Sequence, residues 1–244
     1  ANVTTKDVLR VIGSGTPKWV TSGTYGDSLD KISVSLASGY HIYNSSNQTV
    51  AGKWKFADTQ IINGSSKKAS EIYPNVKGTQ GYTVIFEPSG VSNQYDSDAA
   101  LSDTVTPTIS KKKVTVTVNV NPRAYSVDDT TADVPSPLTV GTGVNTGDGE
   151  EQLEIKGLTG SYTNPNAGTG KKILLDSSKA EITGIGAADL NNYEVIIPAE
   201  TTGDITPVSA QIQIDNSKWP AQKTYGDASF PLSGVTWIGD GAVT

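Results

Sequence analysis

A short signature returns after two hundred residues, and it constrains the fold of this chain more than any other feature. Lys18-Trp19 followed by Thr24-Tyr25-Gly26-Asp27 reappears as Lys218-Trp219 followed by Thr224-Tyr225-Gly226-Asp227. Midway between them stands Tyr125, with Asp128 and Asp129 close behind, and Thr106-Pro107 and Thr206-Pro207 each precede an alternating apolar segment. A period of about 100 residues is one small domain per repeat, long enough to bury a core and fold by itself. The 244 residues therefore divide into modules in series.

Within that period the chain reads as strand. Ser110–Val120 places Val114, Val116, Val118 and Val120 on one side, as a single long strand of about 30 Å would. Ile32, Val34 and Leu36, then Trp54 and Phe56, then Tyr82, Val84 and Phe86 alternate with their neighbours in the same way. Leu138 and Val140, Leu153 and Ile155, Lys171–Leu175, Ala180–Ile185, Tyr193–Ile197 and Ala210–Asp215 continue the series. Asn44–Gln48 and Ile62–Lys68 read as turns or exposed connections. No stretch keeps a 3.6-residue apolar period for three turns, so helix is expected to be scarce. The fold class is all-β. Five to seven short strands per hundred residues predict tandem immunoglobulin-like β-sandwich modules in an elongated array, with a small Greek-key barrel as the competing architecture. The expected boundaries are 1–110, 111–208 and 209–244, the last an incomplete module cut from a longer array.

Composition narrows the chemistry. With no cysteine and no methionine, disulfide staples, thiolate zinc sites and thiol catalysis all drop out. A net charge of −6 opposes nucleic-acid binding, which needs a basic surface. Lys111-Lys112-Lys113 reads as a protected strand edge. No run of 18 apolar residues is present, so no membrane insertion is expected from these residues.

A set of motifs then runs in order along the first module: T-Y-G-D-S-L at 24–29, L-A-S-G at 36–39, G-K-W-K-F at 52–56, G-Y-T-V-I-F-E-P at 81–88, S-N-Q-Y at 92–95 and V-T-P-T-I-S-K-K-K-V-T-V-T-V at 105–118. This resembles the MBG-type immunoglobulin-like repeats of bacterial surface proteins. The second module, with G-L-T-G-S-Y at 157–162, N-A-G-T-G-K at 166–171, D-L-N-N-Y at 189–193 and I-T-P at 205–207, is similar to the companion YDG-type repeat. Its tyrosine motif departs from the usual form and reads Y-S-V-D-D-T-T at 125–131. Residues 209–244 resemble the start of another MBG-type module. The resemblance implies a secreted or wall-attached bacterial adhesin, extracellular at the cell surface, and brings no catalytic residue with it.

The repeated positions have a structural reading. Tyr25 and Tyr225 suit a ring that plugs the end of a sandwich while its hydroxyl reaches backbone. Gly26 and Gly226 supply a positive φ, Asp27 and Asp227 cap the turn, and Trp19 and Trp219 sit where modules would pack together. Tyr125 marks the equivalent place in the second module. Of the candidate sites, the acidic loops are the strongest: Asp96, Asp98 and Asp103 follow Tyr95, while Asp128, Asp129 and Asp133 follow Tyr125, and hard Ca²⁺ takes oxygens from such loops. Neither cluster has EF-hand spacing. His41 is the single histidine, and no nucleophile elbow accompanies it. A Lys–Asn isopeptide bond would need a buried Lys, Asn and carboxylate.

The expectation is a non-catalytic stalk or spacer that presents an adhesive region, with calcium as the one conceivable cofactor. Its partners would be neighbouring repeat modules. A ligand-binding module for host glycan or protein, or accessory domains of a secreted carbohydrate-active enzyme, are the alternatives.

Overall fold

The computed structural model describes residues 7–14, 18–89, 101–215, 217, 225 and 235–238. Strand accounts for 52% of the chain and, among the described residues, helix is confined to short 3₁₀ turns, so the fold is all-β. The strands are β1 (Arg10–Gly13), β2 (Trp19–Thr24), β3 (Ser33–Leu36), β4 (Tyr40–Tyr43), β5 (Gly52–Phe56), β6 (Thr59–Ile62), β7 (Ser65–Lys68), β8 (Tyr82–Pro88), β9 (Ser102–Val105), β10 (Ile109–Ser110) and β11 (Lys112–Thr115). They continue as β12 (Arg123–Ala124), β13 (Leu138–Asn145), β14 (Glu150–Lys156), β15 (Thr159–Tyr162), β16 (Gly168–Asp176), β17 (Glu181–Ile185), β18 (Tyr193–Ile196), β19 (Glu200–Thr206), β20 (Gln211–Ile214) and β21 (Val235–Ile238).

The backbone divides into two compact units, each assembled from three stretches. The first comprises Ala1–Val114, Gly141–Leu153 and Thr183–Ile196; the second comprises Thr115–Val140, Glu154–Ile182 and Ile197–Thr244. In the first unit the sheets run β10-β2-β3, β5-β8-β9, β1-β4 and β6-β7. Its apolar centre includes Leu9, Ile42 and Phe86, with Trp54, Val50 and Leu36 packed against them. β8 shows why the sequence takes this form: Tyr82, Val84 and Phe86 are buried while Thr83 and Glu87 face outward. Each fully buried side chain of this size contributes about 1.5–3 kcal/mol. The second unit is built on the four-stranded sheet β12-β19-β16-β15. Ala132, Tyr162, Ile173 and Ile205 form its core, flanked by Val120, Tyr125, Val134 and Leu175.

One local arrangement recurs. β10 pairs in parallel with β2, placing Ser110 opposite Thr24, and the Tyr25 N–H donates to the Ser110 carbonyl at 2.9 Å. One hundred residues on, β12 pairs in parallel with β19, placing Ala124 opposite Thr206, and the Tyr125 N–H donates to the Thr206 carbonyl at 2.8 Å. Each signature tyrosine thus follows or adjoins a strand that is paired in parallel with another more than 75 residues away in sequence.

Two expectations need correction. Ser110–Val120 is not one long strand: β10 and β11 are separate, and residues 116–120 carry no strand pairing. The burial alternation persists, with Val114, Val116 and Val118 all below 6% exposed, because alternation reports which side faces a core and not whether the backbone has a partner. Ile62–Lys68 is not a connection, because Ser65–Lys68 is strand β7, antiparallel to β6. The two-residue turn between them is Asn63-Gly64, with φ of 50° and 78°, the pairing that suits the right-handed twist of a tight hairpin. Every residue of β7 is exposed, so no apolar alternation announced it.

Candidate functional site

The most ordered chemistry in the first unit surrounds a buried carboxylate. β14 alternates, and its buried phase is Glu151, Leu153 and Ile155, so the strand that delivers two aliphatic residues to a core also delivers Glu151, only 6% exposed. Tyr25, which follows β2, donates its hydroxyl to Glu151 Oε1 at 2.8 Å, and Thr146 donates to the same oxygen at 3.1 Å. Tyr193, which opens β18, donates to Oε2 at 2.6 Å. Thr142 Oγ1 lies 3.3 Å from the Tyr193 hydroxyl. The two phenol rings meet edge to face with centroids 5.4 Å apart. Burial, reinforced by hydrogen bonding to the Glu151 carboxylate, pushes both phenols above the ordinary tyrosine range. They stay neutral donors to a charged acceptor, a bond type contributing about 1.5–3 kcal/mol each.

Asn192 extends this cluster. It is 1% exposed, accepts from the Val76 N–H at 3.0 Å and donates to Asn75 Oδ1 at 3.1 Å. The 3₁₀ turn that carries it (Leu190–Asn192) is capped by Asp189, whose carboxylate accepts from the Asn191 N–H. The constellation ties the three stretches of the first unit together through side-chain hydrogen bonds. Glu151 and Asn192 are buried, but no lysine is buried among the described residues, so the components of an isopeptide bond are not assembled there.

Of the signature positions, Tyr25, Gly26 and Asp27 adjoin this cluster. Gly26 adopts φ of 97°, and Asp27 caps its turn by accepting from the Thr24 N–H at 2.8 Å. The Tyr25 ring is buried as expected, but its hydroxyl reaches a carboxylate and not backbone. Trp19 packs inside the first unit, edge to face on Trp54 at 4.7 Å, and its indole N–H points to Asp103 at 3.3 Å. Asp103 also takes Lys18 Nζ at 2.6 Å, and that bond holds its carboxyl below the usual range. Tyr125 is half-buried against the core of the second unit. Tyr225 is fully exposed. Asp96, Asp98, Trp219, Gly226 and Asp227 lie outside the described residues.

The acidic candidates that are described serve their own turns. Asp128 is exposed with φ of 59°. Asp129 accepts from the Thr131 N–H at 2.8 Å, which lowers its carboxyl below the usual range, and its Oδ2 lies 3.5 Å from Arg123 Nη1. Asp133 accepts from the Asn121 side-chain amide at 3.0 Å. Among the described residues no three His, Cys, Asp or Glu side chains converge as a metal site would require. His41 is exposed on β4, 6.4 Å from the Tyr43 ring.

A second feature of the first unit is an open groove of about 680 Å³, lined by residues 30–36, 40–42, 50–55 and Phe86. Its strands are β3, β4 and β5. Trp54 contributes to the wall, and its indole Nε1 is buried with no hydrogen-bond partner among the described residues.

Sequence reasoning missed Glu151, Tyr193 and Asn192 as a site. For Glu151 a signal existed: an ionisable residue in phase with Leu153 and Ile155 sits where the strand period demands burial. For Tyr25 the repeat marked the position without naming its partner, which lies 126 residues away. Comparison with protein families, with curated proteins and with solved structures gives no match to this chain.

Proposed function

We propose that this chain is a non-catalytic stalk or spacer from a secreted or wall-attached bacterial surface protein, built of tandem immunoglobulin-like modules that extend and present an adhesive region. The observation that carries the reading is the recurring parallel pair. When two strands run parallel, the N-terminal end of one and the C-terminal end of the other lie at opposite ends of the pair. Tension applied through such a pair loads its hydrogen bonds together in shear, whereas antiparallel ends would open one bond at a time. The recurrence of this pairing beside Tyr25 and Tyr125 supports a modular array, in which neighbouring modules are the principal partners.

The buried Glu151 cluster fits the same role. A small β-unit without disulfides needs another means of holding distant stretches together, and two neutral phenols on one buried carboxylate supply it. Single-molecule pulling from the two chain ends tests the reading. Discrete unfolding events at high force are expected, and Ser110→Pro, which disrupts the β10–β2 pairing, lowers the force of one of them. Featureless extension of the intact chain at low force overturns the spacer reading.

A further inference from the structure

The two-residue turn between β6 and β7 carries a chemistry of its own. Asn63 is followed by glycine, and no other asparagine of the chain is. An asparagine carboxamide can be attacked by the backbone nitrogen of the next residue to close a five-membered imide, and a glycine leaves that nitrogen unshielded. Asn63 and Gly64 are both exposed, and a carbon placed on Gly64 would meet nothing within 4 Å. Neither the Asn63 side chain nor the Gly64 N–H makes a hydrogen bond among the described residues. Several other asparagines are protected. Asn47 Oδ1 accepts from Arg10, Asn145 Oδ1 accepts from the Gly147 N–H at 2.9 Å, and the Asn191 amide donates to Asp189 at 2.8 Å. Asn121 and Asn164 precede proline and lack the attacking N–H.

The two strands of this hairpin are held unequally. β6 is anchored by Gln60, 2% exposed, whose side chain donates to the Ala57 and Thr83 carbonyls, each at 2.9 Å, and accepts from the Thr83 N–H at 2.7 Å. β7 buries none of its residues and pairs with β6 alone. Its next fixed point is the buried Ala69, whose N–H donates to the Asp58 carbonyl at 2.8 Å. Residues 63–68 can therefore lift from β6 while the base of the hairpin stays in place, and a two-stranded ribbon with no packed face opens readily. Opening matters for the chemistry. In the left-handed conformation of Asn63, with φ of 50°, the Gly64 nitrogen lies on the far side of the Cα–C bond from the side chain. Rotation about that bond brings the two together, and it breaks the Ile62–Ser65 pairing.

We propose that Asn63 is a self-modification site, converted to aspartate and isoaspartate through opening of this hairpin, with water as the only co-reactant. The Gly64 nitrogen gives up its proton and bonds to Asn63 Cγ, the Cγ–Nδ2 bond breaks, and Nδ2 leaves as ammonia. Water then opens the imide. Addition at Cγ leaves an ordinary aspartate, whereas addition at the Asn63 backbone carbonyl carbon transfers the chain to Cγ and leaves isoaspartate. Isoaspartate inserts one carbon into the backbone of a two-residue turn, and the tight hairpin geometry is lost. β7, which has no other strand partner, stays detached and presents Lys67 and Lys68 to proteases. The turn thus records the age of the chain. This inference does not rest on the spacer reading.

The full chain is incubated in mildly alkaline buffer beside a synthetic peptide of residues 58–69, and conversion in both is mapped by mass spectrometry with fragmentation that separates isoaspartate from aspartate. Conversion at Asn63 is expected ahead of every other asparagine, and about ten- to a hundredfold slower than in the peptide, because the chain reacts only while the hairpin is open. Trypsin cuts the converted chain after Lys67 and Lys68 about tenfold faster than fresh chain, since cleavage follows the population of the open form. Asn63→Asp, which adds the charge without the extra carbon and tolerates the left-handed turn, is cut like fresh chain. Asn63→Gln, which would have to close a six-membered ring, shows no conversion at this position. Conversion no faster at Asn63 than at Asn145 overturns the proposal. So does a slowing, relative to the peptide, as large as the exchange protection of the β8 amides, which marks global unfolding. Equal cleavage of the converted chain and of Asn63→Asp overturns it as well.

Discussion

Replacing Glu151 by alanine is the sharpest test of what holds the first unit together. The substitution removes the acceptor of the Tyr25 hydroxyl at 2.8 Å and of the Tyr193 hydroxyl at 2.6 Å. Tyr193 retains Thr142 Oγ1 at 3.3 Å, so its loss is partial. Tyr25 is 5% exposed and loses its carboxylate acceptor outright. A buried donor left unmade costs about 1–3 kcal/mol, and the space vacated by the side chain adds to it. Part of this is offset because a buried charge is also removed. The expected net loss is about 2–4 kcal/mol, a large share of the stability of an ordinary domain at roughly 5–15 kcal/mol. Hydrogen exchange read peptide by peptide resolves the effect: amides of β2 and of residues 150–153 should exchange roughly 30- to 1000-fold faster, at 1.4 kcal/mol per tenfold. Glu151→Gln supplies one acceptor and one donor to the two phenols, so it should stay within about 1 kcal/mol of wild type. The pair Tyr25→Phe and Tyr193→Phe should be worse together than the sum of the single changes, because only the double variant strips the buried carboxylate of both phenols. A loss below about 1 kcal/mol for Glu151→Ala, or strict additivity of the two phenylalanine variants, would refute the account.

Alkali should attack the same cluster. Tyr25 and Tyr193 are held neutral above the ordinary tyrosine range in the fold, and they ionise near pH 10 once unfolded. The stability that this difference contributes is complete below about pH 10 and falls as pH rises through the folded values. Unfolding followed against pH should show a shallower alkaline decline in Tyr25→Phe than in wild type, and parallel curves would count against the assignment. Two glycines with positive φ separate strain from crowding. Gly64→Ala, with nothing near the added carbon, should cost about 1 kcal/mol. Gly26→Ala places that carbon 2.9 Å from Val144 Cγ2 and should cost about 2–4 kcal/mol. Equal thermal shifts for the two would show that the Val144 contact carries no weight.

Much of this protein follows from its local sequence. Alternation over two to four pairs is a property of the strand period alone, so the strands around Val34, Phe56, Val84, Leu153 and Ile173 can be read without knowing their partners. The recurring Thr-Tyr-Gly-Asp also determines its own turn, since a glycine at positive φ and an aspartate returning to the Thr24 N–H need no distant residue. Where local information was weak the reading failed in a definable way. β7 is exposed throughout and shows no alternation, although Asn63-Gly64 marked its hairpin. The valine run 114–120 kept its burial pattern but lost its continuity, because a ladder depends on the neighbour and not on the strand. Only tertiary structure decided that Glu151 receives Tyr25 and Tyr193, that β2 lies parallel to β10, and that the edges of β3 and β5 flank one groove. The physical reason is common to all three. Side-chain period and turn chemistry act over a few residues, whereas pairing partners are chosen by which of many compatible surfaces buries its polar groups at least cost, a choice that for Tyr25 and Glu151 spans 126 residues of chain.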